Sequence, residues 1–267
     1  MASAAAPRPS DAFSRHVGFD SPDRAQFPAL ARFNCVAQRT AAWFALRRSA
    51  AMTGSKLSQL FFIKDQDEFT DYQAIIRGSK KAPPIDAEGL ARCRFGTEHE
   101  DDGVTSLLHH FPALRTIEVG FKKHAVHAWM GSSPDGLVSW PERFGDQLGC
   151  LEVKCCTKTN KDGLTVPHKD VPYYYLLQVY YEMRCCETEW TVFVSWGQTG
   201  THAWLIHFDP SLWADIFELT AEFYHAQMPY EHYAELQRSL LMRCRALAPT
   251  FEKLHGDAPL PSFCKIK

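Results

Sequence analysis

The sequence predicts an α/β or α+β fold, in which helices at both ends flank a core sheet. Three observations carry this expectation. Helical periodicity runs to about residue 112. Strand-like alternation with turn residues then takes over between Thr116 and Cys155. A helical stretch over Pro172–Cys186 is followed by two strand-like runs around the Gly197–Gly200 turn. With 267 residues, 45% of them hydrophobic and 22% charged, the chain has the size and composition of one globular domain with helical additions. The expected organisation is a disordered leader over 1–35 and a single domain over 36–267. That domain divides into an N-terminal helical part (36–112), a core (113–210) and C-terminal helices (211–255).

Each element has its own signal. The leader is rich in Ala, Pro and Ser and lacks the apolar centre of a secretory signal. In RTAAWFALRRSA, Trp43, Leu46 and Ala50 share one helical face. A break at Met52–Ser55 opens a second helix with Leu57, Leu60 and Phe61 on its apolar stripe. DEFTDYQAIIRG reads as a third helix ending at Gly78, and KKAPPID as a loop. A longer helix covers EGLARCRFGTEHEDDGVTSLLHHFP, with Gly96 and Gly103 as weak points and Glu100, Val104, Leu107 and Phe111 at helical spacing. TIEVGFKKHAVHAWMGSSPDGLVSW predicts two or three antiparallel strands, and GCLEVKCCT a short apolar strand. PYYYLLQVYYEMRCC returns to helix, with Tyr174, Leu177 and Tyr181 facing the core. EWTVFVSW and THAWLIHF pair as strands, and two amphipathic helices follow from Pro210.

Composition excludes some classes. No run of 18 apolar residues occurs, so no membrane partner is expected. The nine cysteines are scattered and include no C-x-x-C, which points to buried thiols in an intracellular, reducing setting rather than to disulfides, zinc or a cluster. A net charge of −2 argues mildly against nucleic acid. However, the stretch from Arg47 to Lys81 holds seven basic residues against four acidic ones. A basic wall beside an acidic pocket would look like this, and so would a solvated helix face.

The chemistry concentrates in LEVK. Strand alternation puts Glu152 and Lys154 on one side and Leu151 and Val153 on the other. On an edge strand or a solvent face this is an ordinary ion pair. Upstream, SSPDGLV places Asp135 in a turn, where capping its own backbone is one role open to it. Yet a strand begins directly after it, and Glu152 lies 17 positions on, a distance that a hairpin can fold back. Two carboxylates meeting beside a lysine make a hard-oxygen site that suits Mg2+, with Mn2+ able to substitute, rather than zinc. Such a site can activate water against a phosphodiester, with Lys154 orienting the water and offsetting developing charge.

SSPDGLV, GCLEVKC and a helix carrying LLQVYYEM, in that order, resemble the lambda-exonuclease or YqaJ-type viral recombinase group of PD-(D/E)XK nucleases. FGTEHE resembles the group's aromatic-Gly-x-x-x-Glu motif, which assigns the acid to Glu100 and leaves Glu98 a bystander. WFALRRSAAMTGS resembles its Trp, Arg, T-x-S segment, with one residue inserted. The resemblance spans about Trp43 to Trp196 and implies a restriction-endonuclease-like core, a central mixed sheet flanked by helices. It implies that Asp135, Glu152 and the Val153 carbonyl ligate metal and that Glu100 holds a second ion. Lys154 would serve the nucleophile, with Gln178 steadying Lys154 or the water. Arg47 or Arg48, with Ser55, would bind a DNA 5′-phosphate. Tyr180 departs from the group, which often carries a glutamine there. Phe61, Phe62 and Trp129 could stack on bases, although such residues more often lie in the core.

The implied activity is a Mg2+-dependent 5′→3′ exonuclease on double-stranded DNA. It would release 5′ nucleotides and leave 3′ tails for a single-strand annealing protein, in some members as a homotrimer. Two alternatives stand beside it: a structure-specific or nicking endonuclease on the same fold, and a catalytically silent DNA-binding subunit.

Overall fold

The computed structural model describes residues 15–225 and 229–255. Its frame is a seven-stranded mixed sheet in the order β1-β3-β6-β7-β8-β9-β10. The strands are β1 (His16–Val17), β3 (Arg115–Ile117), β6 (Gly136–Ser139), β7 (Leu148–Cys155), β8 (Trp190–Gly197), β9 (Gly200–His207) and β10 (Glu252–His255). A small second sheet joins β2 (Met52–Thr53), β5 (Met130–Ser132) and β4 (Lys122–Lys123), with β5 in the middle. The longer helices are α1 (Ala41–Arg48), α2 (Gln66–Ile76), α3 (Ala87–His110), α4 (Tyr175–Cys186), α5 (Pro210–His225) and α6 (Tyr230–Leu247). This is the expected mixed α/β architecture.

Local chemistry explains the helix starts. Thr40, Asp65 and Asp86 each sit in extended backbone and accept a hydrogen bond from the first turn of α1, α2 and α3 respectively. Trp43 is buried on α1, as its spacing predicts. The stripe Leu57, Leu60 and Phe61 is buried too, but on a one-turn helix (Gly54–Leu57) that tightens into a 3-10 turn (Ser58–Phe61).

β7 is the middle strand of seven, so the edge-strand reading of its ion pair does not hold. It pairs antiparallel with β6 and parallel with β8. Alternation sends its two faces to different cores. Leu151 and Val153 join Leu107, Leu108 and Val138 under α3, whereas the opposite face meets α4. Gly103 is required for the first contact: a Cβ there would stand 2.6 Å from Val153 Cγ1. The glycine that reads as a helix weak point is where α3 lies closest to the sheet.

Three expectations need correction. Residues 15–35, expected within a disordered leader, pack onto the domain; residues 1–14 lie outside the described residues. β1 pairs parallel with β3, and Val17, Leu30 and Phe33 are buried. The reason is a recurrence of apolar residues every third position, Phe27, Leu30 and Phe33, which suits the 3-10 turn that forms at Pro28–Arg32. Second, the two or three antiparallel strands expected over 116–140 are four, divided between two sheets. β3 and β6 enter the large sheet, while β4 and β5 pair in the small one. Third, the C-terminal region contributes β10 as well as two helices. It pairs antiparallel with β9.

Candidate active site

The chain passes from the small sheet to the large one through Ser133, Pro134 and Asp135. Two bonds clamp this crossing. Trp43 Nε1 donates to Ser133 Oγ at 2.9 Å, and Gln38 Nε2 donates to the Pro134 carbonyl at 2.8 Å. The β6–β7 register pairs Gly136 with Leu151, so one residue back Asp135 stands across from Glu152. Asp135 Oδ2 accepts the Val153 N–H at 2.7 Å. The two carboxylates predicted to converge do so. Asp135 therefore caps the neighbouring strand rather than its own turn.

Glu152 is buried, 1% exposed, on the α4 side of the sheet. Its Oε1 accepts from the Lys154 ammonium and from Gln178 Nε2 at 2.6 Å, whereas its Oε2 is buried with no partner. Gln178 is itself buried, and it bonds Glu152 rather than Lys154. Lys154 lies 5.0 Å from the centre of the Tyr175 ring, a cation–π contact from the first turn of α4.

Glu100, on α3, faces the same cleft but turns to Arg39, whose Nη2 donates to Oε2 at 2.5 Å. Glu98 is exposed. A cleft of about 900 Å3 is lined by Arg39, Ser55, Glu100, Asp135, Lys154 and Tyr175. Arg47 Nη2 donates to Ser55 Oγ at 2.5 Å and its guanidinium stacks over Trp43, while Arg48 is exposed. Arg47, Arg48, Thr53 and Lys56 line a separate hollow of about 330 Å3. Arg47 is thus the partner of Ser55, and neither arginine lines the acidic cleft. Phe61 is core, Phe62 is half-exposed, and Trp129 stacks on Tyr224. Tyr180, the departure from the expected glutamine, is buried and donates to the His207 carbonyl.

Electrostatics mark this corner as short of positive charge. Burial, then Glu152 and Glu100, push the Asp135 carboxyl well above its ordinary range. Burial first, and Glu182 second, raise Glu152 to about 8 against the pull of Lys154. Burial opposes the Lys154 charge, but Glu152 and Asp135 outweigh it and hold the ammonium. Among the described residues, no three His, Cys, Asp or Glu side chains stand as a ready metal cluster. Each acid instead has a stand-in donor: Arg39, Lys154 with Gln178, or the Val153 N–H. The orphaned Glu152 Oε2, hard oxygen donors and excess negative charge fit a divalent cation.

Two residues here were missed in the sequence. Glu182 is buried, accepts from Gln178 Nε2 at 2.8 Å and leaves its own Oε2 unpartnered. It sits four residues after Gln178, so the pair of polar residues on one face of an otherwise apolar helix was a legible signal. Arg39 gave no comparable signal.

Comparison with known proteins agrees with the fold. The model of the YqaJ-like viral recombinase domain matches residues 42–190. No curated protein matches the chain. Among solved structures, the alkaline exonuclease LHK-Exo from Laribacter hongkongensis is 22% identical. The match covers 78% of this chain and 100% of that one, with a TM-score of 0.50. LHK-Exo in complex with dAMP is 24% identical over 78% of this chain and 97% of that one, with a TM-score of 0.49. Motif order, sheet topology and a family match over more than half the chain converge: the chain belongs to the YqaJ-like viral recombinase domain family, nucleases built on the PD-(D/E)XK fold.

Proposed function

We propose that the protein is a divalent-metal-dependent exonuclease that degrades double-stranded DNA from 5′ to 3′. One observation carries the reading: Asp135 and Glu152 stand opposite each other beside Lys154, and Asp135 and Lys154 line a cleft of about 900 Å3. The likeness to an alkaline exonuclease supports it at the level of fold.

Asp135, Glu152 and the Val153 carbonyl would hold Mg2+ or Mn2+, with Glu100 serving a second ion. The bound cation would supply Lewis-acid activation of water and neutralise charge on the phosphate. The remaining work falls to the chain. Lys154, held charged by its acidic neighbours, orients the attacking water and offsets charge developing on the phosphate oxygens. Gln178 fixes Glu152 Oε1 and leaves Oε2, which has no hydrogen-bond partner, available to a cation. Arg47 and Ser55 present donors for a 5′-phosphate through charge-assisted bonds. The products would be 5′ nucleotides and a 3′ single-stranded tail suited to an annealing protein, and a ring of three copies would favour processive action.

The test uses linear duplex with a 5′-phosphate, the same duplex with a 3′ label, and a covalently closed circle, each with Mg2+. The reading predicts loss of 5′ nucleotides from the linear forms and an intact circle. Nicking of the circle would favour an endonuclease. Full activity in Lys154→Ala would remove the mechanism, and absence of carboxylate-dependent Mn2+ binding by calorimetry would indicate a silent DNA-binding subunit.

A further inference from the structure

Arg39 adopts φ 65°, one of two non-glycine residues with positive φ among the described residues. A side chain there is strained, and such strain persists only where the surroundings impose it. Here both neighbours are tied. Gln38 donates to the carbonyl of Pro134, the residue before Asp135, and Thr40 caps α1 by accepting the Trp43 N–H. The left-handed bend between these two anchors aims the guanidinium into the acidic cleft, where it bonds Glu100 at 2.5 Å. The Arg39 side chain is about half exposed, at 48%, so it is free to leave this partner.

Glu100 faces competing demands. Its charge acts on Asp135 across the cleft, so it belongs to the same electrostatic unit as the proposed metal ligands. A cation that recruits Glu100 competes with Arg39 for its charge. The released guanidinium would then stand at the cleft mouth with no acid to neutralise it, where a phosphodiester is its natural ligand.

We propose that Arg39 is an exchangeable counter-ion: it neutralises Glu100 while the divalent site is empty, and binds a phosphate of the DNA backbone once Glu100 turns to the metal. This rests on the proposed metal-dependent nuclease reading. It assigns a role to a residue outside the motif residues that carry the family resemblance. It also predicts effects of opposite sign from one substitution, which a merely structural role would not produce.

The test compares wild type with Arg39→Gly, which accepts the positive φ and so preserves the bend, and with Arg39→Ala as a second variant. Calorimetry with Mn2+ on the full chain, without DNA, should show affinity about threefold tighter or more in both variants, because the competing ion pair is gone. Binding of a linear duplex with Ca2+ as a non-cleaving probe should be weaker in both. The slope of log affinity against log salt should fall by about 0.9, the signature of one lost phosphate contact. Arg39→Lys should restore that slope. Unchanged Mn2+ affinity or an unchanged salt slope in Arg39→Gly would overturn the proposal. Wild type that binds no Mn2+ would overturn the nuclease reading and this inference with it. Wild type that binds and cleaves normally, beside an indistinguishable Arg39→Gly, would defeat the inference alone.

Discussion

Asp135 accepts the backbone N–H of Val153, and that one bond locks the turn between the two sheets to the strand carrying Glu152 and Lys154. It aligns a side-chain carboxylate with the strand's own register.

This bond separates charge from geometry in Asp135→Asn. An amide oxygen can still accept the Val153 N–H, so the fold should persist and thermal unfolding should occur no lower than in wild type. Nuclease activity should fall by a factor on the order of 10²–10³, with loss of the Mn2+ binding signal. Activity near wild type would show that Asp135 is not part of the reacting site.

The two arginines of α1 should behave differently. Arg47 is half-buried and bonded to Ser55, whereas Arg48 is exposed. Arg47→Ala should cut the preference for 5′-phosphorylated over 5′-hydroxyl ends by about tenfold or more, since bonds to a charged group contribute roughly 1.5–3 kcal/mol. Arg48→Ala should leave the ratio unchanged. Equal losses would mean that the anchor is a diffuse basic patch.

Glu182 links stability to pH. Burial is the main cause that raises its carboxyl to about 8 from the ordinary 4.5. Between those values the folded protein keeps a proton that the unfolded chain has released, so this contribution is complete below pH 4.5 and is lost as pH rises through 8. Metal-free protein should thus unfold at lower temperature at pH 9 than at pH 6, and Glu182→Gln should flatten the dependence. A variant as pH-sensitive as wild type would assign the effect to other groups.

Gly103→Ala should cost about 1–3 kcal/mol in denaturant unfolding, the usual penalty for overpacking. The added Cβ meets Val153 Cγ1 at 2.6 Å, so either α3 or β7 must shift. Because Val153 lies between Glu152 and Lys154, activity should fall along with stability. A change within about 0.5 kcal/mol would show that α3 moves freely over the sheet.

Much of this protein was determined by local sequence. Period and turn chemistry located α1 to α6 and most strands, because capping by Thr40, Asp65 and Asp86 and the alternation of LEVK depend on neighbours in the chain. The same alternation placed Glu152 and Lys154 on one face. Tertiary structure decided the rest, since each remaining feature depends on what lies across the sheet rather than along it. Only the register of β6 on β7 brings Asp135 opposite Glu152. Burial of β7 at the centre of the sheet turned an ordinary E-x-K into a corner short of positive charge. Arg39 acquired its partner Glu100 from a helix distant in sequence, Glu182 was buried by the packing of α4, and His16–Val17 paired with β3. A carboxylate's chemistry is set by its solvation and by charges within a few ångströms, and those distances exist only once the chain has folded.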